Sequence, residues 1–135
     1  MARSEFAFGY RFRVRYSEVD PQAVVFNSRY LEYADFAVVE FWRAMDFEPQ
    51  EAGDFHVGTA TVRYVSPLRL DEEVDALVRI DRVGTASMVY RIELHGAGAD
   101  DLRAAIELIY VHVDLATGKS TPIPEAFRAR VTALP

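Results

Sequence analysis

From Phe8 to Tyr16 the apolar residues Phe8, Tyr10, Phe12, Val14 and Tyr16 alternate with Gly9, Arg11, Arg13 and Arg15. A repeat of two is the period of a half-buried strand, so the segment predicts a first strand with its arginines on the solvent face. The stretch Asp20 to Phe26 contains Pro21 and has no period. Asn27 and Ser28 then supply N-cap side chains directly ahead of a helical pattern. Leu31, Ala34, Val38, Phe41, Trp42 and Met45 recur at intervals of three and four, while Glu32, Asp35, Glu40 and Arg43 fall largely elsewhere. This predicts one long helix starting near residue 28.

After a loop rich in acidic residues, Gly53 to Phe55, four β-like stretches follow at His56 to Ser66, Glu73 to Val83, Ala86 to His95 and Arg103 to Asp114. The turn signals between and after them are Pro67 with Asp71, then Gly84, then Gly96, Gly98 and Asp100, and last Gly118 with Pro122 and Pro124. The last three are expected to close hairpins. An order of strand, helix and four strands predicts an α+β fold, a five-stranded antiparallel sheet wrapped around one long helix. An exposed edge strand in such a sheet favours pairing with a second copy, so a homodimer is expected.

Composition narrows the function. At 135 residues the chain suits one domain over 1–135, able to bury roughly two thirds of its unfolded surface. With half of its residues apolar and many Phe and Tyr, it is expected to be ordered throughout. A formal charge of −6 disfavours nonspecific nucleic-acid binding, which depends on cations displacing counterions. The absence of cysteine removes disulfides, thiolate zinc sites and cysteine nucleophiles together. No apolar run approaches the length of a membrane span, so the expectation is a soluble, unprocessed, cytoplasmic protein. His56, His95 and His112 fit no metal spacing, and there is no GxSxG elbow, phosphate-binding glycine loop or dinucleotide fingerprint. Neither a metal nor a cofactor is expected.

The stretch Val14 to Tyr33, VRYSEVDPQAVVFNSRYLEY, resembles the 4-hydroxybenzoyl-CoA thioesterase family of hotdog proteins. The resemblance is carried by Tyr16, by Asp20 followed by Pro21, by the Val24-Val25-Phe26 run, by Asn27, and by Tyr30 and Tyr33. Ala60 to Leu68, with Val62, Tyr64 and Pro67, matches as well. Two departures stand out. The family often has glycine where this chain has Ala23, and many bacterial members have histidine where it has Asn27.

The resemblance implies a hotdog dimer, often a dimer of dimers, with active sites near the subunit interface and hydrolysis of acyl-CoA thioesters; the choice between coenzyme A and acyl-carrier protein as carrier is left open by the sequence. It puts Asp20 in the role of nucleophile or general base and the backbone amide near Asn27 in that of oxyanion donor at a helix N-terminus. It suggests Tyr30 and Val57-Gly58-Thr59 as walls of the acyl pocket, and Arg82 with Ser87 as nucleotide contacts. Read without the family, Asp20 before Pro21 is first of all a turn residue, Tyr30 and Tyr33 are core aromatics, and Gly58 is equally a bulge. Glu18 is a rival carboxylate, expected either on the face of Tyr16 or in a distorted strand end. Hotdog hydratases pair an aspartate with a histidine five residues on, and that position here is Val25. The competing class is a noncatalytic binder of acyl-CoA or acyl-carrier protein. Phe26, Phe36 and Trp42 are the candidates for setting acyl-chain preference.

Overall fold

The computed structural model describes residues 2–47 and 54–134. Five strands form one antiparallel sheet: β1 (Phe8–Arg13), β2 (Phe55–Tyr64), β3 (Glu73–Val83), β4 (Ser87–Gly96) and β5 (Leu102–His112). Their spatial order is β1-β3-β4-β5-β2, with β1 and β2 at the edges. The long helix α1 (Arg29–Ala44) covers one face, and a short helix α2 (Glu125–Thr132) follows the sheet.

The register explains why α1 settles there. Phe8, Tyr10 and Phe12 stand opposite Val78, Ala76 and Val74 of β3, and Val78 and Ala76 in turn stand opposite Ile92 and Leu94 of β4. Alternate positions of adjacent strands therefore share one apolar face. On the helix, Tyr30, Tyr33, Ala34, Ala37, Val38 and Phe41 are buried against it. The Phe8 ring meets Phe41 at 5.5 Å, and Phe12 meets Tyr33 at 4.6 Å. Each large apolar side chain buried this way contributes about 1.5–3 kcal/mol relative to exposure.

Several expectations are corrected. β1 ends at Arg13 instead of continuing to Tyr16, because residues 16–18 turn into a short 3-10 helix in which Arg15 binds Glu18. The Gly84 and Gly96–Asp100 turns do close hairpins, β3–β4 and β4–β5. The turn at Gly118 closes only the single bridge Val113–Ser120, after which the chain enters α2. That helix carries Phe127 onto Trp42, Phe47 and Phe55, closing one end of the core. Gly53 lies outside the described residues, and Phe55 already belongs to β2.

Candidate functional site

Between β1 and α1 the chain makes a small hairpin. Val19 bridges Val25, the Asp20 N–H donates to the Val24 carbonyl, and Ala23 N–H donates back to the Asp20 carbonyl at 2.9 Å. Pro21 fits the second position of such a turn, and Ala23 takes up φ 62°, the left-handed region that favours glycine. Val25 N–H donates to the Leu68 carbonyl and Leu70 N–H to the Ala23 carbonyl, which ties the hairpin to the segment leading into β3. At its tip Asp20 is half-buried, and its Oδ1 accepts the Gln22 N–H at 2.8 Å. No other hydrogen bond to the carboxylate is made among the described residues, so one oxygen is uncommitted.

The rival carboxylate is engaged differently. Glu18 is 6% exposed whereas Tyr16 is 82% exposed, so they do not share a face; the distorted strand end is the reading that holds. Glu18 accepts the Arg15 N–H at 2.8 Å, the Arg15 guanidinium at 2.8 and 3.1 Å, and the Tyr33 hydroxyl at 2.9 Å. Burial pushes its carboxyl up, but the bonds from Arg15 and Tyr33 outweigh it and hold the group below the ordinary glutamate value. Burial and the Glu18 charge in turn push the Tyr33 phenol far up. The trio is a clamp from the chain after β1 to the first turns of α1. Sequence alternation misses it; the three-residue spacing of Arg15 and Glu18 was the available signal.

The start of α1 is open. Ser28, the N-cap, makes no side-chain cap bond, and among the described residues neither the Asn27 nor the Ser28 backbone N–H has an acceptor in the chain. Such unpaired N–H groups carry the positive end of the helix dipole. The Asn27 carbonyl accepts the Tyr64 hydroxyl from β2 at 2.8 Å. Tyr30 is 3% exposed and its hydroxyl accepts the Leu68 N–H at 3.2 Å, while Tyr33 binds Glu18; both rings are core, with their hydroxyls satisfied. Further along α1 lies a cavity of about 530 Å³, bordered by Leu31, Asp35, Phe36, Val57, Ala60 and Leu108 but not by Asp20, Asn27 or Ser28. Gly58 sits at a β-bulge, where a Cβ would come 2.9 Å from Val111 Cγ2. Val57 on its flank is 49% exposed and lines the cavity.

The sequence profile of the thioesterase-like superfamily matches residues 14–131, from the end of β1 through α2. The chain belongs to this superfamily. It is 29% identical over 126 residues to the acyl-CoA thioester hydrolase YbgC of Escherichia coli, covering 90% of this chain and 93% of that one. A thioesterase of Thermus thermophilus, solved in complex with coenzyme A and Zn, is 28% identical and superposes with a TM-score of 0.82, covering 95% of this chain and 99% of that one. Slr0204 of Synechocystis, a 1,4-dihydroxy-2-naphthoyl-CoA thioesterase, shares the fold at a TM-score of 0.84 and 19% identity, covering 94% and 96%.

In this thioesterase-like chain the remaining sequence candidates are spread out. The loop bearing Asp20 docks beside the start of β3, through Val24–Arg69. Arg82 is exposed at the other end of that strand, and Ser87 opens β4 beside it. Nine residues of strand separate Glu73 from Arg82, about 30 Å. Within the chain Arg82 and Ser87 are thus apart from Asp20 and Asn27. Of the acyl-preference candidates, Phe36 lines the larger cavity, Trp42 a second cavity further along α1, and Phe26 is 49% exposed. No group of His, Asp and Glu among the described residues is arranged to hold a metal ion, and no described helix is long and apolar enough to cross a membrane.

Proposed function

We propose that the protein hydrolyses acyl-CoA thioesters to a free acid and coenzyme A, with Asp20 as the catalytic carboxylate and the backbone N–H of Asn27 as the oxyanion donor. The observation that carries this reading is a pairing within one short unit of a superfamily member: a carboxylate with an oxygen uncommitted among the described residues and, seven residues on, N–H groups at a helix start that have no acceptor among them. A thioester carbonyl is weakly stabilised and its thiolate leaves readily, so these two parts suffice. Asp20 either attacks the carbonyl carbon or deprotonates a water that does. In both cases the acyl carbon gains an oxygen that comes ultimately from water, the C–S bond breaks, and sulfur departs as the thiol. Loss of one oxyanion donor typically costs about a hundredfold to a thousandfold in rate.

Acyl-CoA as substrate follows from what the Escherichia coli relative is named for and from the coenzyme A bound by the Thermus protein. The cavity beside α1, with Val57 and Ala60 on its β2 wall, is the proposed acyl site; Gly58 and Thr59 follow Val57 on that strand without bordering it, and Tyr30 is buried in the core. A homodimer belongs to this reading. β2 is an edge strand, and Val57 and Tyr64 on it and Leu31 and Val39 on α1 expose apolar surface. Arg82 and Ser87 enter as nucleotide contacts offered by a second copy. The competing reading, a noncatalytic binder of acyl-CoA or acyl-carrier protein, draws on the bond from Gln22 N–H to Asp20 Oδ1, which is what a turn aspartate makes.

Asp20→Asn separates the two, because asparagine keeps the turn bond and removes the carboxylate. Thiol release from short, long and aromatic acyl-CoAs is expected from wild type and is expected to fall at least about a hundredfold in Asp20→Asn. Equal rates in both would remove Asp20 from the chemistry. No cleavage of any thioester, with acyl-CoA bound and recovered intact, would establish the binder.

A further inference from the structure

In the order β1-β3-β4-β5-β2, two strands separate β2 from β3, so the connection 65–72 travels past the ends of β5 and β4. Three inter-strand spacings are about 14 Å, whereas eight residues can span about 26 Å, which leaves this connection slack. Arg103 at the start of β5 takes the slack up. Its carbonyl accepts the Val65 and Ser66 N–H groups at 2.9 and 3.1 Å. Its guanidinium donates to the Pro67 carbonyl at 2.9 Å, to Glu72 Oε1 and Oε2 at 2.9 and 2.8 Å, and to Asp101 Oδ2 at 3.0 Å. Both ends of the connection are thereby fastened to β5. The Arg103 side chain is 15% exposed, and its bond holds the Glu72 carboxyl below the ordinary glutamate value. Glu72 Oε1 also accepts the Arg69 N–H at 2.8 Å, so the stretch between the two fasteners is itself braced.

That stretch carries the candidate site. Val25 N–H donates to the Leu68 carbonyl at 2.8 Å and Leu70 N–H to the Ala23 carbonyl at 3.1 Å, which seats the hairpin bearing Asp20. Leu68 N–H donates to the Tyr30 hydroxyl at 3.2 Å, and Tyr30 belongs to the first turn of α1. Leu68, 0% exposed, thus bonds to the hairpin of the carboxylate on one side and to the start of the helix on the other. Where it sits sets how the two face each other. A shift of about 1 Å between reacting groups can cost about a hundredfold in rate, even when the cause is remote. Lysine could not replace the fork, because one ammonium cannot reach the Pro67 carbonyl, both Glu72 oxygens and Asp101 together.

We infer that Arg103 is a positioning residue: by fastening the β2–β3 connection at Pro67 and Glu72, it fixes the Asp20 hairpin against the start of α1. Its kinetic consequence rests on the thioesterase reading above; its hold on the hairpin does not.

The experiment compares wild type with Arg103→Lys and with Glu72→Gln, which weakens the same link from the loop side. Arg91→Met is the control, since it breaks ion pairs to Asp81 and Glu107 in the middle of the same sheet. Circular dichroism confirms that all four proteins are folded. Amide deuterium exchange, followed by NMR without substrate, is expected to quicken at Val25 and Leu70 at least about tenfold in Arg103→Lys and Glu72→Gln. Ile92, at the centre of β4, is expected to exchange as in wild type. With the thioester that wild type cleaves fastest among short, long and aromatic acyl-CoAs, kcat should fall at least about tenfold in both variants, KM should change less than about threefold, and Arg91→Met should keep the wild-type kcat. Unchanged exchange at Val25 and Leu70, faster exchange with the wild-type kcat, or an equal loss of kcat in Arg91→Met would overturn the proposal. If wild type cleaves no thioester but exchange quickens at those two amides, the thioesterase reading fails and the hold of Arg103 on the hairpin stands.

Discussion

Tyr33→Phe tests the clamp that ties the chain ahead of Asp20 to α1. The substitution keeps the ring against Phe12 and removes only the hydroxyl that donates to Glu18 Oε1 at 2.9 Å, between residues that are 1% and 6% exposed. A hydrogen bond to a charged group contributes about 1.5–3 kcal/mol. Here the low half applies, because Glu18 keeps its bonds from the Arg15 backbone and guanidinium and is not left unpaired. The expected loss is about 1.5–2 kcal/mol, or roughly 4–8 °C in Tm for a domain of this size. The pH dependence identifies the cause. Glu18 has a folded pKa below its ordinary value of 4.5, so the stabilisation it brings is complete above that value and is lost as pH falls through the lower, folded one. The Tm difference between wild type and Tyr33→Phe is therefore largest near neutral pH and shrinks in acid. Scanning calorimetry across that range measures it. An unchanged Tm at neutral pH would refute the clamp, and a difference that persists undiminished in acid would assign the loss to ring packing instead of the charged bond.

Two further expectations concern the frame around the site. Ala23→Gly relieves a left-handed alanine at φ 62°, offset in part by the greater freedom of glycine in the unfolded chain, so stability should rise by up to about 1 kcal/mol; a fall in Tm would count against strain at the hairpin tip. Asp75, 4% exposed on the outer face of the sheet, accepts from Arg11, Gly98 and Arg3, and the Arg11 guanidinium above all holds its carboxyl far below the usual range. Asp75→Asn should cost about 2–3 kcal/mol at neutral pH, less than for a fully buried pair because Arg11 is 54% exposed. Since a depressed folded pKa gives stability that is present above about pH 4 and lost below it, the variant should lose less on acidification than wild type does. Urea unfolding at a series of pH values checks this, and parallel acid curves would contradict it.

How far the sequence could be read depended on whether an element is decided locally. β3 runs from Glu73 to Val83 as its pattern says, because Gly84 ends it and neighbours on both sides leave no alternative register. α1 begins at Arg29, one residue from the position its N-cap residues predict. Long-range pairing was not legible: nothing in β2 says that it will join β5 and leave an edge exposed. Nor was α2, whose only buried residues are Phe127 and Val131, too few to make a helical pattern before Trp42, Phe47 and Phe55 receive the phenylalanine. At the site, Asp20 and Asn27 came from the family resemblance, and the bonds of Glu18 emerged only where strand alternation breaks down. Tyr90 marks the limit most clearly. Alternation along β4 places it on the inner face with Met88, Ile92 and Leu94, where it reads as one more apolar core position. What distinguishes it is that its hydroxyl has no partner among the described residues, and that depends on the rings that α1 and β5 pack around it. A local pattern reports which side chains are buried; which buried groups remain unsatisfied is decided only by the assembled core.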